Sequence, residues 1–473
     1  MPSHFIKGLA PAALAVLVSV TAAAREATQA DTLVLSLDSC IAIALDANPT
    51  IKVADLEVKR IDLTKKSTIA QLLPNVSFGA QYSRTLAKQT MYMSMDGFGG
   101  EGNGSEAETQ ASGSSNRDNG IKVGLDNSWS LGFNGSLPII APQLWATLRL
   151  NDEQILASVE SARSSRLDMI KEVKNAYYGM MLADDSYRVV RDNYDMALYT
   201  AAQYRRRFEI GTASRYDTLR TSVAVKNIEP QLTQAEIAIR QSRLLLAMLM
   251  GIDTAPFITP ATRLADYEAT MYADVLAIDP SIGDNTDLRL LDIQRRQAEQ
   301  AVKVNKLAFV PTLALTANYN WTSMSNGKLF GAGDRWSPYS SVGLALSVPL
   351  FEGGGRYNSV KQSKIQAREL DLQRDNLRRS IQMQVDVAMD NIQLNVKQIA
   401  SSGESVRQAE DAYRIICESF ELGTASYLDR RDSELQLTQS RLAYLQAIYN
   451  YLTARADLEN LLGTAYPSHN TTR

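Results

Sequence analysis

Four segments of the chain alternate apolar and polar residues with a period of two. In the first, Val76, Phe78, Ala80 and Tyr82 stand opposite Ser77, Gly79, Gln81 and Ser83. In the second, Ile121, Val123, Leu125, Trp129, Leu131, Phe133 and Leu137 share one parity, which predicts a single amphipathic strand of about 17 residues. The third sets Leu313, Leu315, Ala317, Tyr319 and Trp321 against Ala314, Thr316, Asn318 and Asn320. The fourth sets Val342, Leu344, Leu346 and Val348 against Ser341, Gly343, Ala345 and Ser347. Trp129, Trp321, Trp336, Tyr319 and Tyr339 lie in or beside these strands. The alternation fits a soluble sheet with one face on a core. It equally fits a transmembrane barrel with apolar residues outward and aromatics at the interfaces.

The rest of the chain has helical patterning. Between Pro142 and Gly211 there is no internal Pro and one Gly, Gly179. A helix over that stretch is ~100 Å long at 1.5 Å per residue. Gly355 to Gly423 is its counterpart. Ile170, Val173, Tyr177 and Met180, then Tyr187, Val190, Tyr194, Leu198, Ala201, Tyr204 and Phe208, step by threes and fours, as in a coiled-coil seam.

These elements occur twice. Asn48 aligns with Asn285 and Pro74 with Pro311; Gly211 aligns with Gly423 and Gly251 with Gly463. The expected organisation is a first repeat over 25–260 with a β-hairpin at 75–137 and a helical tip near 211. The second repeat covers 261–466, with a β-hairpin at 312–348, a tip near 423, and a tail at 467–473. The first repeat carries an extra Gly/Ser/Asn-rich segment within 86–120, which reads as an exposed loop. Gly353 to Gly355 have no match in SLPIIAPQLW (136–145), so the two strand-to-helix junctions are expected to differ.

The phrase FEIGTAS at 208–214 returns as FELGTAS at 420–426. Gly211 and Gly423 suit the left-handed residue that ends a helix. Ser214 with Asp217, and Ser426 with Asp429, form the S-x-x-D pattern that starts the next one. Each phrase therefore reads as the tip of a helical hairpin.

Composition narrows the function. The net charge of −3 implies no basic surface for nucleic acid. The two histidines, His4 and His469, lie near the termini. Cys40 and Cys417 are far apart and in no spacing motif. No metal-ligand cluster, nucleophile elbow or phosphate loop appears, so the protein reads as a non-enzyme without a cofactor. Lys7, the apolar Leu9–Val20 run and Ala22-Ala23-Ala24 read as a signal peptide over residues 1–24. No later apolar run is long enough for a membrane-spanning helix. Strands that do span a membrane cannot end in open edges, and four cannot close a barrel. Two chains supply eight strands and three supply twelve.

The chain resembles the outer-membrane efflux proteins, the TolC-like channels. The resemblance rests on SLDSCIAIALDANPTI (36–51), both strand hairpins, SVPLFEGGGR (347–356), both tips and YLTARADLENLLG (451–463). It implies an α+β homotrimer in which two repeats per chain combine long coiled-coil helices with amphipathic β-hairpins. Twelve strands would form a transmembrane β-barrel in the outer membrane, surrounded by its lipid. Twelve helices would continue it as a periplasmic α-barrel.

The function implied is passive exit from a tripartite efflux pump or a type I secretion system. Its partners would be a periplasmic adaptor (membrane fusion) protein and, indirectly, an inner-membrane transporter that supplies the energy. The resemblance places adaptor docking at Gly211, Thr212, Ser214, Gly423, Thr424 and Ser426. It places a periplasmic gate at Asp429 and Asp432. Arg430 and Arg431 lie between those two acids and dilute the expected ring charge. The other reading is a soluble periplasmic coiled-coil adaptor or scaffold. It explains the helices and leaves the strands without a core to cover.

Overall fold

The computed structural model describes residues 33–91, 121–252, 258–268, 281–326 and 335–464. The signal peptide expected at 1–24, residues 92–120 of the first loop and the 467–473 tail lie outside the described residues. The first repeat runs β1 (Leu33–Leu35), α1 (Leu37–Ala47), α2 (Pro49–Ala70), β2 (Asn75–Arg84), β3 (Gln89–Met91), β4 (Ile121–Val123) and β5 (Asn127–Ile140). It continues with α3 (Pro142–Glu209), α4 (Arg215–Leu249) and β6 (Ile258–Pro260). Then follow α5 (Thr286–Leu307), β7 (Thr312–Ser325), β8 (Trp336–Ser347), α6 (Gly355–Glu421) and α7 (Tyr427–Leu462). The chain forms two compact units, one of residues 62–153 and 296–367, the other of 1–61, 154–295 and 368–473.

The first unit holds a four-stranded antiparallel sheet in the order β2-β5-β7-β8. Its register extends the sequence parity across all four strands. Phe78 lies opposite Phe133, Phe133 opposite Tyr319, and Leu315 opposite Leu344. The neighbouring row is polar: Ser77, Asn134, Asn318 and Ser341 pair in succession. One face is therefore mainly apolar and the other mainly polar or small, with Arg84, Asn127, Ser323, Ser325 and Ser340 as polar positions on the first and Met324 and Tyr339 as the large side chains on the second. Aromatic rings tile the apolar face, with Phe78–Phe133 centroids 5.1 Å apart and Tyr319–Trp321 4.5 Å apart. Much of this face is exposed among the described residues: Val342 is 76%, Leu344 67% and Phe78 59% exposed. β2 and β8 each have one ladder partner, so both outer edges are open among the described residues.

The second segment departs from expectation. It is two strands, not one of about 17 residues: β4 pairs with β3, and β5 joins the large sheet. The break falls at Gly124, whose φ of 112° is open to glycine and takes the chain out of the extended conformation. Asp126 anchors the turn: its carboxylate meets Lys88 Nζ at 3.0 Å, and its N–H donates to Asn326 Oδ1 at 3.0 Å. The exposed loop expected at 86–120 thus begins as a short ladder. The junctions do differ. β5 passes to α3 through Ala141 alone, whereas residues 348–354 separate β8 from α6, with Gly353 and Gly354 at φ 58° and 81°.

The second unit is helical, with a core of Val173, Tyr177, Met180, Leu246, Ile392, Ile399, Ile448 and Tyr451. In α6 the buried Ile381, Val385, Ile392 and Ile399 keep steps of four and seven, the seam of a coiled coil. Tyr177 donates its hydroxyl to Leu35 O at 3.0 Å and accepts Ala261 N–H at 3.3 Å, tying down the parallel β1–β6 pair. Cys40 is buried and Cys417 half-buried, both as free thiols.

A repeated clasp closes each helical hairpin. Asn48 Nδ2 donates to Leu249 O at 2.7 Å, and its Oδ1 accepts from Thr50 N at 2.7 Å. Asn285 Nδ2 donates to Leu461 O at 2.7 Å, and its Oδ1 accepts from Leu288 N at 2.9 Å. Both asparagines are buried, so an aliphatic replacement leaves backbone groups unsatisfied. Gly251 and Gly463, at φ 67° and 68°, end α4 and α7 against these turns.

Candidate functional site

The two tips are built from the same bonds. At the first, Thr212 N donates to Arg207 O at 2.7 Å and Gly211 N to Phe208 O at 2.9 Å. At the second, Thr424 N donates to Ser419 O at 2.9 Å and Gly423 N to Phe420 O at 3.1 Å. This crossed pair closes a helix around a left-handed residue, and both glycines have φ 75°. The threonine hydroxyls reinforce the turns, at 3.0 Å for Thr212 and 2.9 Å for Thr424. Ser214 and Ser426 then cap α4 and α7. Asp217 N donates to Ser214 Oγ at 3.1 Å, and Asp429 N to Ser426 Oγ at 3.2 Å.

Asp429 completes its capping box. Its Oδ2 accepts from Ser426 N at 3.0 Å and from Ser426 Oγ at 2.7 Å. The side-chain bond and then the backbone bond hold its carboxyl below the ordinary 3.8. A depressed carboxyl keeps such a cap charged at neutral pH and gives it up only as pH falls through the lowered value. Asp217 makes the same box with Ser214, at 3.3 and 2.7 Å. Asp432, one turn further along α7, is exposed.

Arg430 does not share that exposure. It is 8% exposed and faces inward, its guanidinium 5.3 Å from the Phe420 ring centroid and Nη2 3.3 Å from Thr200 Oγ1. It therefore dilutes the acidic surface less than its place between Asp429 and Asp432 suggests. The side chain also links the hairpin of the second repeat to that of the first. Tyr204 and Tyr427 add to this link with centroids 5.5 Å apart, and Arg220 lies 5.1 Å over the Tyr427 ring. These contacts were not singled out in the sequence. The available signal was phase: Arg430 and Leu437 are seven apart and both buried.

Behind the tips, a cavity of about 90 Å³ is lined by Thr200, Asn227, Gln231, Tyr427, Arg430 and Glu434, among others. Burial pushes the Glu434 carboxyl above its ordinary 4.5, with Arg430 and Arg431 pulling it back. A raised carboxyl means that folding favours the protonated form. Its stabilising contribution is present below 4.5 and is lost as pH rises through the raised value. Glu434→Gln is therefore expected to raise the thermal midpoint at pH 7 and leave it nearly unchanged at pH 4. A midpoint lowered at pH 7 would show that the pairing with Arg430 and Arg431 outweighs the burial.

Among the described residues, no group of His, Cys, Asp and Glu is arranged to hold a metal, and no helix is long and apolar enough to cross a membrane. The profile of the family described as Outer membrane efflux protein matches residues 40–252 and 277–464. The probable efflux pump outer membrane protein TtgC of Pseudomonas putida is 25% identical over 327 residues, a match covering 66% of this chain and 63% of TtgC. The match thus spans less than two thirds of that relative's length. The alkaline protease secretion protein AprF of Pseudomonas aeruginosa is 26% identical over 339 residues, 69% of this chain and 68% of AprF. The crystal structure of the CmeC outer membrane channel of Campylobacter jejuni aligns at a TM-score of 0.67 and 18% identity, covering 90% of this chain and 85% of CmeC. That likeness is one of fold.

Proposed function

Because the chain belongs to the outer membrane efflux protein family, we propose that it is a passive exit channel of the outer membrane, serving a tripartite efflux pump or a type I secretion system. The observation that carries this reading is the sheet. Its mainly apolar face is largely exposed, its other face is mainly polar or small, and both its edges are open among the described residues. Lipid tolerates an apolar face and does not tolerate an open edge. Three copies close twelve strands into a barrel, turning the apolar face to lipid and the Ser/Asn/Gly face to a wet lumen. A soluble scaffold would leave the apolar face in water, so that alternative is not favoured. The relatives are named for pump efflux and for protease secretion. We carry to this chain only the shared role of conduit, with energy supplied by an inner-membrane partner.

The helical tips dock a periplasmic adaptor through Gly211, Thr212, Ser214, Gly423, Thr424 and Ser426. Asp429 and Asp432 ring the narrow entrance beside them. Six carboxylates around a narrow pore favour cations and repel one another. The test is the size and conductance of the detergent-solubilised protein. An outer-membrane trimer of low, cation-preferring conductance in planar bilayers supports the reading, and a soluble periplasmic monomer overturns it. Asp429→Ala with Asp432→Ala is expected to raise conductance and reduce cation preference. Unchanged values would remove the gate from these residues and leave Asp429 with its capping role.

A further inference from the structure

The two tips have the same backbone and opposite charge. Residues 205–220 hold five Arg against two acids, Glu209 and Asp217, a net of +3. The equivalent residues 417–432 hold two Arg against four acids, Glu418, Glu421, Asp429 and Asp432, a net of −2. The structure sharpens the contrast. Arg205, Arg206, Arg207 and Arg215 are exposed at the first tip, and all four acids are exposed at the second. Arg430 is buried, so it does little to offset those acids at the surface.

Each tip also displays an aliphatic side chain immediately before its glycine, Ile210 at 74% exposure and Leu422 at 81%. Tyr216 at the first tip and Leu428 at the second extend these apolar spots. An apolar knob ringed by charge is a small docking surface: the knob supplies burial, and the charges choose the partner and its register.

We infer that the two tips are electrostatically opposed docking surfaces, and that the adaptor meets the Ile210 tip with an acidic segment and the Leu422 tip with a basic one. This inference rests on the reading that the tips dock an adaptor. Its physical content is register. Two loops of one shape accept a partner equally well, so a partner shifted by one hairpin meets no steric penalty. Opposed charges supply that penalty, because the shifted partner places like charges together. The occupant is thus a periplasmic protein with two docking segments of opposite charge, or one segment with an acidic and a basic side.

The test places a photo-crosslinking residue at Ile210 or at Leu422 in the full-length protein in cells, which leaves every tip charge in place. The captured segments are then sequenced. The expected result is a net acidic segment from 210 and a net basic one from 422. Arg206→Glu with Arg215→Glu is expected to cut capture at 210 roughly tenfold and leave capture at 422 within about twofold. Segments of the same charge, or equal loss at both positions, overturn the inference while leaving adaptor docking intact. Capture of a second copy of this chain overturns the choice of partner, since opposed tips on two channels also complement each other. No captured protein at either position, from a membrane-inserted trimer, overturns the docking reading itself.

Discussion

Val342→Arg with Leu344→Arg is expected to abolish assembly in the outer membrane, whereas Ser337→Arg with Ser341→Arg on the same strand is expected to be tolerated. Both pairs add two charges to β8, on opposite faces. Val342 and Leu344 lie opposite Ala317 and Leu315 on the apolar side, while Ser337 and Ser341 lie opposite Thr322 and Asn318 on the polar side. An arginine on the lipid face near the midplane costs about 2–4 kcal/mol. Two per chain cost ~4–8 kcal/mol, a large share of the ~5–15 kcal/mol by which a domain is usually stable, and a trimer carries the cost three times over. On the polar face the same charges stay hydrated. Membrane fractionation and heat-sensitive trimers on a gel read both outcomes. Normal trimers from Val342→Arg with Leu344→Arg would mean that this face meets water or protein, and the barrel reading would fail.

That contrast was visible in residue parity before any register was known. Alternation in each strand is local, and the antiparallel ladder then has to place like parity on like. The break at Gly124 was not visible, because Ile121, Val123 and Leu125 keep the period on both sides of it. Only the backbone shows that the chain turns there, at φ 112°. The tips were legible for a similar reason: Gly-Thr-Ala-Ser followed by Asp three residues after the Ser specifies a turn and a cap from neighbours in sequence. The inward direction of Arg430 was not legible. It depends on Thr200, which is 230 positions away. The aligned asparagines were legible as a pair, but their acceptors lie 201 and 176 positions away and belong to the tertiary structure.

Four left-handed glycines provide an internal scale for the clasp. Gly211, Gly423, Gly251 and Gly463 have φ between 67° and 75°, so alanine pays a similar backbone cost at each, about 1–2 kcal/mol. Their surroundings differ. A Cβ at Gly211 or Gly423 meets nothing within 4 Å. At Gly251 it approaches Ala47 O at 3.1 Å, which asks for a shift of a few tenths of an ångström. At Gly463 it collides with Asp284 O and comes within 2.6 Å of Asp284 C, and both are backbone atoms. Relief at Gly463 requires the Asp284–Asn285 turn to move. That movement threatens the Asn285 bonds to Leu461 and Leu288, and those of Arg163 to Gly463 O at 3.2 Å and Asp284 O at 2.7 Å. The expected order of destabilisation by alanine is Gly463, then Gly251, then the two tips as equals. The Gly463 variant should lose about 3–5 kcal/mol, in the range of strain combined with broken buried hydrogen bonds. Thermal midpoints of the four solubilised variants check the order. A Gly463→Ala midpoint equal to that of Gly211→Ala would show that the clasp yields freely and does not hold the end of α7.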